Sequence, residues 1–514
     1  MASKFLVPDR EQSFLQVTSY RELLGSDELV WTVIEVVEDL DLSEIYARYG
    51  DDPSVGGRPA YDPAMMVALL MFGYCEGKRS ARELESACRR DVAYQAICGG
   101  MVPDHATIAR FRAGLDDLMA DLFTQVLAAC TERGLVRVGT VALDGTRMEA
   151  AASKDSNVTA AYLEELKAVI GRILAEADAA DAADSAGIDS EVEGETAAGV
   201  SDDPDSDELG WSRVRRRAET QRKLERIQQA QGEVEGARQR RADDEKRRSR
   251  KRGGKPTANL TDPESRLQKT RAGWVQGYNG QAVVSADQVV IAAELTAETT
   301  DTTLFEPMLL RSAQNLTKAG ASGSMGVVLA DAGYWSHANA GVEERIDATL
   351  LIAPGKGHQI GTVSPFDPQR ASPAALARHR METRLAAESN QVLYRQRAWM
   401  IEGTFAHTKT HRRSRRFSRR GLAACDAEWK LIHLAGNILK IHRHHTGSTG
   451  SAGDPDDPNS SDTPHRQHNH PWTHQRCPHH RRPPKPPTQT PTGKATLPPG
   501  GETTRPPRET LTNR

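Results

Sequence analysis

Two apolar runs of the chain stop at an aspartate followed closely by glycine. "VRVGTVALDG" reaches Asp144 with Gly145 next, and "MGVVLADAG" reaches Asp331 with Ala332 and Gly333 next. A carboxylate in that place either caps a strand before a turn or stands where a ligand lies beyond the strand's carboxyl end. For Asp144 alone the first reading suffices; a second aspartate in the same setting shifts the balance. If the two strands are parallel neighbours, both acids reach one rim of the sheet, where two close carboxylates repel unless a cation lies between them. All-oxygen ligation favours Mg2+ or Mn2+. A third acid has to come from a helix facing that rim, and "YRQRAWMIEGTFAHTK" supplies Glu402. Lys409, seven residues on, falls on about the same helical face two turns away, a cation placed to meet a DNA phosphate. Beyond it Arg412, Arg413, Arg415, Arg416, Arg419 and Arg420 follow without an intervening acid, an electrostatic footprint for a nucleic-acid backbone.

Elements able to position these residues can be read around them. After the strand to Asp144, where the regular pattern stops, comes an insertion, then "GYNGQAVVSADQVVIAAELTAE", two β-rich runs about a polar turn, the pattern of a hairpin. "TLFEPMLLRSAQNL" reads as a helix capped by Asp301 or Thr302. The strand to Asp331, a helix in "HANAGVEERI" and a strand in "ATLLIAP" follow. A hairpin joined to βαβ crossovers makes a mixed α/β sheet with helices on its faces. "EWKLIHLAGNILKIHRH" closes it as an amphipathic helix with Trp429, Ile432, Ala435, Ile438 and Leu439 inward.

Upstream, residues from about 26 to 122 read as several helices, with "DPAMMVALLMFGYCEG" apolar enough for a core helix. "VPDHATIARFRAGL" starts a helix at Pro103 and Asp104 and carries Arg110 and Arg112, compatible with DNA reading and equally with any small helical domain. The insertion spans 153–257. It holds a short amphipathic helix through Tyr162, Leu166, Val169, Ile170 and Ile173, then an acidic Ala/Gly/Ser-rich stretch expected to be disordered. A charged helical run with a sparse stripe through Val214, Leu224, Ile227 and Val234 ends it. Residues 446–514, rich in Pro, His, Thr, Ser and Arg, are expected to be a disordered tail.

Composition bounds the rest. The 514 residues carry a formal net charge of −3, but acids and bases are segregated along the chain, so nucleic-acid binding stays open. No apolar stretch approaches a membrane span and the N-terminus lacks a secretory pattern, which predicts a cytoplasmic protein without a membrane partner. Six cysteines show no zinc-ligand spacing and are expected to be reduced packing residues. The His-rich "HRQHNHPWTHQRCPHHRR" reads as incidental metal affinity, His407 as a residue facing DNA or solvent, and Trp335 as packing; Trp274 could stack on a base.

"VALDGT", "GYNGQAVV", "VLADAGYWS" and "YRQRAWMIEGTFAHTK" resemble the catalytic blocks of bacterial insertion-sequence transposases with an Asp-Asp-Glu triad. The segment from "YDPAMMVALLMFGYCEG" to "HATIARFR" resembles the helical domain that precedes them. The resemblance implies an RNase H-like mixed sheet flanked by helices over 135–445, interrupted by the insertion, behind an all-helical DNA-binding domain over 1–125. It implies Asp144, Asp331 and Glu402 as catalytic residues holding two Mg2+ or Mn2+ ions, with Tyr394, Arg397 and Lys409 completing a Tyr-Arg-Glu-Lys signature at DNA. Double-stranded DNA, as element ends and target, would be the partner, with a homodimer on DNA at the nucleoid. In the commonest signature three residues separate Arg from Glu; here four do, so Arg397 is expected to face elsewhere. Two relatives of this reading stay open: an RNase H-like endonuclease without strand transfer, and an inactive DNA-binding descendant. A phosphate loop at "GKGHQIG" lacks the GxxxxGK[ST] pattern.

Overall fold

The computed structural model describes residues 19–49, 60–191, 204–248, 255–270 and 272–449. Helices come first, as their apolar runs dictate: α1 (Tyr20–Leu23), α2 (Leu29–Glu38), α3 (Ser43–Tyr46), α4 (Pro63–Glu76), α5 (Ala81–Arg90), α6 (Val92–Cys98), α7 (His105–Ala113) and α8 (Met119–Glu132). α4 is a core helix, apolar all round and buried from Met65 to Cys75, with Pro63 at its first position and Gly77 ending it in the left-handed conformation. The expected start of α7 holds: the Asp104 carboxylate accepts the Ala106 and Thr107 N–H groups at 2.9 Å each.

The strands are β1 (Thr140–Glu149), β2 (Asn157–Thr159), β3 (Thr257–Asn259), β4 (Arg266–Thr270), β5 (Gly273–Ser285), β6 (Val290–Thr296), β7 (Val327–Ala330) and β8 (Thr349–Ile352). β5, β1, β7 and β8 are successive neighbours in one mixed sheet. β1, β7 and β8 run parallel; β5 runs antiparallel to β1 and pairs also with β4 and β6. The β5–β6 hairpin turns at the expected "SADQ". β1 is longer than its sequence pattern: it does not stop at Asp144 but continues to Glu149, because Gly145–Glu149 keep pairing with Gln281–Gly277 of β5 after the β7 ladder has ended. Alternating burial is lost there, and with it the signal.

The insertion departs most from expectation. β2 and β3 pair at its base, and two long helices, α9 (Ala160–Glu191) and α10 (Pro204–Arg248), stand on them. Residues 175–191 and 204–210 of the acidic stretch are thus helical, since helix-forming Ala and Glu continue the turns. Leu163, Ile170, Ile227, Ala230, Val234 and Ala258 form a small core of their own. Residues 192–203 and the side chain of Val214 lie outside the described residues.

Helix α11 (Phe305–Lys318) packs on β5 and β6. The "HANAGVEERI" segment makes two short helices, α12 (His337–Ala340) and α13 (Glu343–Ile346), not one. α14 (Pro373–Ala386) packs on β8 and α15 (Glu388–Arg397) on β7. α15 runs on through a π-helical turn at Ala398–Glu402, α16 (Gly403–Ala406) and a second π-turn at His407–His411. The closing helix α17 (Leu422–Thr449) takes in the first four residues of the expected tail; residues 450–514 lie outside the description. Trp429, Ile432, Ala435 and Ile438 are buried as expected, and Leu439 is partly so. α17 packs on β6 and equally on α8, α4 and α2, so the N-terminal helices and the sheet share one apolar core.

Candidate catalytic site

Register assembles the centre of the site. Thr140–Leu143 pair in parallel with Val327–Ala330, and the ladder stops one residue short of Asp144 on β1 and Asp331 after β7. Parallel strands in register bring those next residues side by side at the carboxyl rim. Asp144 Oδ1 accepts the Gly145 N–H at 2.7 Å, and its Oδ2 accepts from Arg397 Nη1 at 2.8 Å. Asp331 Oδ1 accepts the Gly333 N–H at 2.8 Å. Burial first, and the Asp331 charge second, push the Asp144 carboxyl up to about 6 against the opposing pull of Arg397.

The helix that follows supplies the remaining residues in a pattern set by its π-turn. Tyr394 donates its hydroxyl to the Ala330 carbonyl at 3.1 Å, fixing the end of β7. Arg397 reaches Asp144, so the extra residue between Arg397 and Glu402 does not turn the guanidinium away: a π-turn absorbs one residue and the helix continues. Met400 and Ile401 of that turn are buried and Glu402 is exposed, without a hydrogen bond or ion pair among the described residues. Lys409 Nζ bonds Thr146 Oγ1 at 2.5 Å and the Arg147 carbonyl at 2.9 Å, and burial lowers its pKa. Arg397 and Lys409 therefore both stand on β1.

The comparisons bear on this geometry. Residues 18–114 match the family described as "Transposase domain (DUF772)", and residues 249–438 match "Transposase DDE domain". Together the two matches cover more than half of the chain and contain Asp331, Glu402 and Lys409. The chain belongs to the DDE transposase family. No curated protein and no solved structure matches it.

In this DDE transposase the aspartate pair rests on a polar floor that its sequence hid. Tyr334, fully buried, donates to Gln281 Oε1, and Gln281 Nε2 donates to Asn279 Oδ1 at 3.0 Å and to Asp301 Oδ1 at 3.1 Å. Asn279 Nδ2 reaches the same Asp301 oxygen at 2.7 Å and Arg147 Nη1 reaches it at 3.4 Å. Burial, then the charges of Asp144, Asp301 and Asp331, hold the Tyr334 hydroxyl well above its ordinary pKa. Asp301 is not the helix cap it was expected to be: its side chain makes no cap bond because the β5 amides and Arg147 engage it instead. Glycine leaves the space beside it that these side chains occupy. A Cβ on Gly145 would collide with Gln281 Nε2 and sit 3.0 Å from Asp301 Oδ1, and one on Gly333 would sit 2.9 Å from Asp331 Oδ1 and 3.3 Å from Asp301 Oδ2. The signal for Asn279 and Gln281 was their two-residue spacing, which puts both on one face of an otherwise apolar strand. Tyr334 gave none; the acid at Asp301 was visible but read as a helix cap.

A divalent cation fits the pair. Asp144 and Asp331 are all-oxygen donors, and burial with the Asp331 charge, countered only in part by Arg397, raises the Asp144 carboxyl. Among the described residues no three His, Cys, Asp or Glu side chains converge as a metal cage.

The arginine run divides. Arg412 is 4% exposed, with Nη1 on the Ile432 carbonyl and Nη2 on Thr408 Oγ1 at 2.8 Å; it is an interior residue and is not part of the exposed arginine run expected to follow the DNA backbone. Arg419 pairs with Asp116, its Nη2 at 2.7 Å from Oδ2. Arg413, Arg415, Arg416 and Arg420 are exposed, with Arg416 Nε and Arg420 Nε each at 3.0 Å from the Ala150 and Ala151 carbonyls. On α7, Arg110 is exposed but Arg112 is turned inward, its Nη1 on the Arg79 carbonyl at 2.8 Å and the Tyr74 hydroxyl at 3.3 Å, so it too is structural. Five cysteines are free and buried, as packing residues are; Cys477 lies outside the described residues. Trp335 packs against the core, while Trp274 and Trp399 are exposed. Among the described residues no helix is long and apolar enough to cross a membrane.

Proposed function

We propose that the chain cuts and joins DNA at the ends of an insertion sequence. It would bind terminal inverted repeats, hydrolyse a phosphodiester there and pass the freed 3'-hydroxyl to target DNA in the same site. The observation that carries this reading is the in-register juxtaposition of Asp144 and Asp331, with Asp144 pushed up to about 6. Asp144 and Asp331 would hold Mg2+ or Mn2+, with Glu402 as third carboxylate and two ions in all. When bound, such ions activate the attacking oxygen and stabilise the leaving one. The chain's own residues do the rest. Arg397 neutralises Asp144 in the protein alone and is free to turn to phosphate once a cation takes over that role. Lys409 holds the β1 backbone beside Asp144 and faces the scissile strand. Asp301, with Asn279 and Gln281, keeps the rim at Gly145 and Gly333 rigid and so acts as a positioning group. Arg413, Arg415, Arg416 and Arg420 would follow the DNA backbone, and the N-terminal helices with Arg110 would read the repeat. Two chains would assemble, one on each DNA end.

A labelled duplex carrying the element's own end, incubated with Mg2+ or Mn2+, tests the reading. Nicking at the end and a joined product are expected from the wild type, and loss of both from Asp331→Ala and Glu402→Gln. Cleavage that survives Asp331→Ala removes the site assignment. Cleavage without any joined product leaves a nuclease.

A further inference from the structure

A cavity of about 240 Å3 opens beside the helix that carries Glu402, between the π-turn His407–His411, α17 and the β5–β6 turn. Its wall bears His407, His411, Arg412, His433, Lys440 and Arg443 and not one acidic side chain. Exposed basic residues alone would be a solvated surface, but two of these are sealed in the interior. Arg412 Nε has no partner, and neither ring nitrogen of the fully buried His433 has one. Trp429 holds the His433 ring edge-on, with centroids 4.1 Å apart. Burial keeps His433 neutral, so one of its ring nitrogens is an N–H donor; that donor and the Arg412 Nε–H, left unmade beside a void, call for an occupant that accepts hydrogen bonds.

Charge names the occupant. Arg443 Nη2 lies 3.3 Å from His407 Nε2, and Lys440 Nζ donates to Gln288 Oε1 at 3.0 Å. Burial together with Arg412, Arg443, His411 and Lys440 pushes His407 down to about 4, and burial with Arg443 and Arg79 brings Arg412 down to about 10. Cations crowded closely enough to suppress one another are the complement of a multivalent oxyanion, whose oxygens can take N–H donors from several sides. We propose that this cavity is a phosphate-binding site, with the buried Arg412 and His433 inside it and Lys440 and Arg443 at its mouth. The group bound is either a backbone phosphate of DNA or free inorganic phosphate. The same π-turn carries Lys409, which bonds Thr146, so occupancy is felt two residues from Asp144. The proposal does not depend on the cutting and joining reaction.

The test is calorimetric titration and thermal denaturation of the full chain, without divalent metal, in inorganic phosphate against chloride at matched ionic strength. The comparison is wild type with the Lys440→Ala/Arg443→Ala double variant, whose side chains lie at the mouth and whose melting without phosphate checks its fold. A saturable phosphate response in the wild type, weakened roughly ten-fold or more in the double variant, is expected from the loss of two charged donors. A wild-type response no greater than that to chloride, or equal phosphate affinity in a folded double variant, overturns the proposal. With a saturable response in hand, duplex binding separates the sources. If phosphate weakens duplex binding in the wild type and not in the variant, the site takes a DNA phosphate; if duplex affinity is untouched, it takes the free anion.

Discussion

At the scale of single residues, the account rests on how Asp144 carries its charge. Its folded pKa of about 6 lies above its ordinary 3.8, so the folded chain binds that proton more tightly than the unfolded chain does. The contribution to stability is therefore fully present below about pH 4 and is lost as pH rises through about 6. Above that the ionised carboxylate costs on the order of 2–3 kcal/mol, a net figure that already includes the pull of Arg397. Asp144→Asn should be the more stable protein at pH 8, by about 1–2 kcal/mol in urea denaturation. At pH 5 the gap should shrink. An unchanged gap at the two pH values would mean that Asp144 is not strained by its surroundings. Mg2+ should stabilise the wild type more at pH 8 than at pH 5, since the cation and the proton compete for one carboxylate.

At the scale of elements, parallel register is the device: β1 and β7 need only four paired residues each to set the two aspartates together. The insertion is separable from that device. Thr159 of β2 pairs with Thr257 of β3, so replacing residues 160–256 by a two-residue Asn-Gly turn closes a hairpin that the register already prepares. The ion pair of Arg266 with Glu233 is lost in the process, and the small core of α9 and α10 goes with its own helices. Thermal denaturation should give a melting temperature within about 4 °C of the full chain, whereas loss of cooperative unfolding would show the sheet to depend on the helices.

What the sequence disclosed at this scale, and what it hid, follows from what decides each feature. The two strand ends at Asp144 and Asp331, the β5–β6 hairpin, the cap of α7 and the inward face of α17 were legible because each is set by local pattern, while the pairing of the aspartates rested on parallel strands. The far half of β1 was not: it exists only because β5 pairs with it. Asp301 read as a cap because its neighbours in sequence begin a helix, whereas its partners lie on β5 and β1. Arg412 and Arg112 read as DNA contacts because composition carries charge but not direction, and both point into the interior.

At the scale of the whole molecule, a net charge of −3 conceals a surface strip from Arg413 to Arg420 that lacks acids. Each of the exposed arginines that neutralises a phosphate of duplex DNA should contribute about 0.9 to the slope of log affinity against log salt. Arg413→Ala with Arg415→Ala should flatten that slope by about 2, while Arg412→Ala should lower stability, because its guanidinium is buried and internally bonded. Equal slopes for wild type and the double variant would move the DNA path elsewhere. α17 ties this strip and the sheet to α2, α4 and α8 through one core, so reading of DNA by the N-terminal helices and chemistry at the aspartates would share a rigid frame.

The most direct test of the aspartate pair as a metal-dependent cutting centre is a metal switch at Asp331. In Asp331→Cys the ligand becomes a soft thiolate, which Mg2+ binds poorly and Mn2+ tolerates better. Cleavage of the element-end duplex should be lost in Mg2+ and restored in part by Mn2+, while Asp331→Ala stays inactive in both. Equal activity of Asp331→Cys and the wild type in Mg2+ would contradict the account.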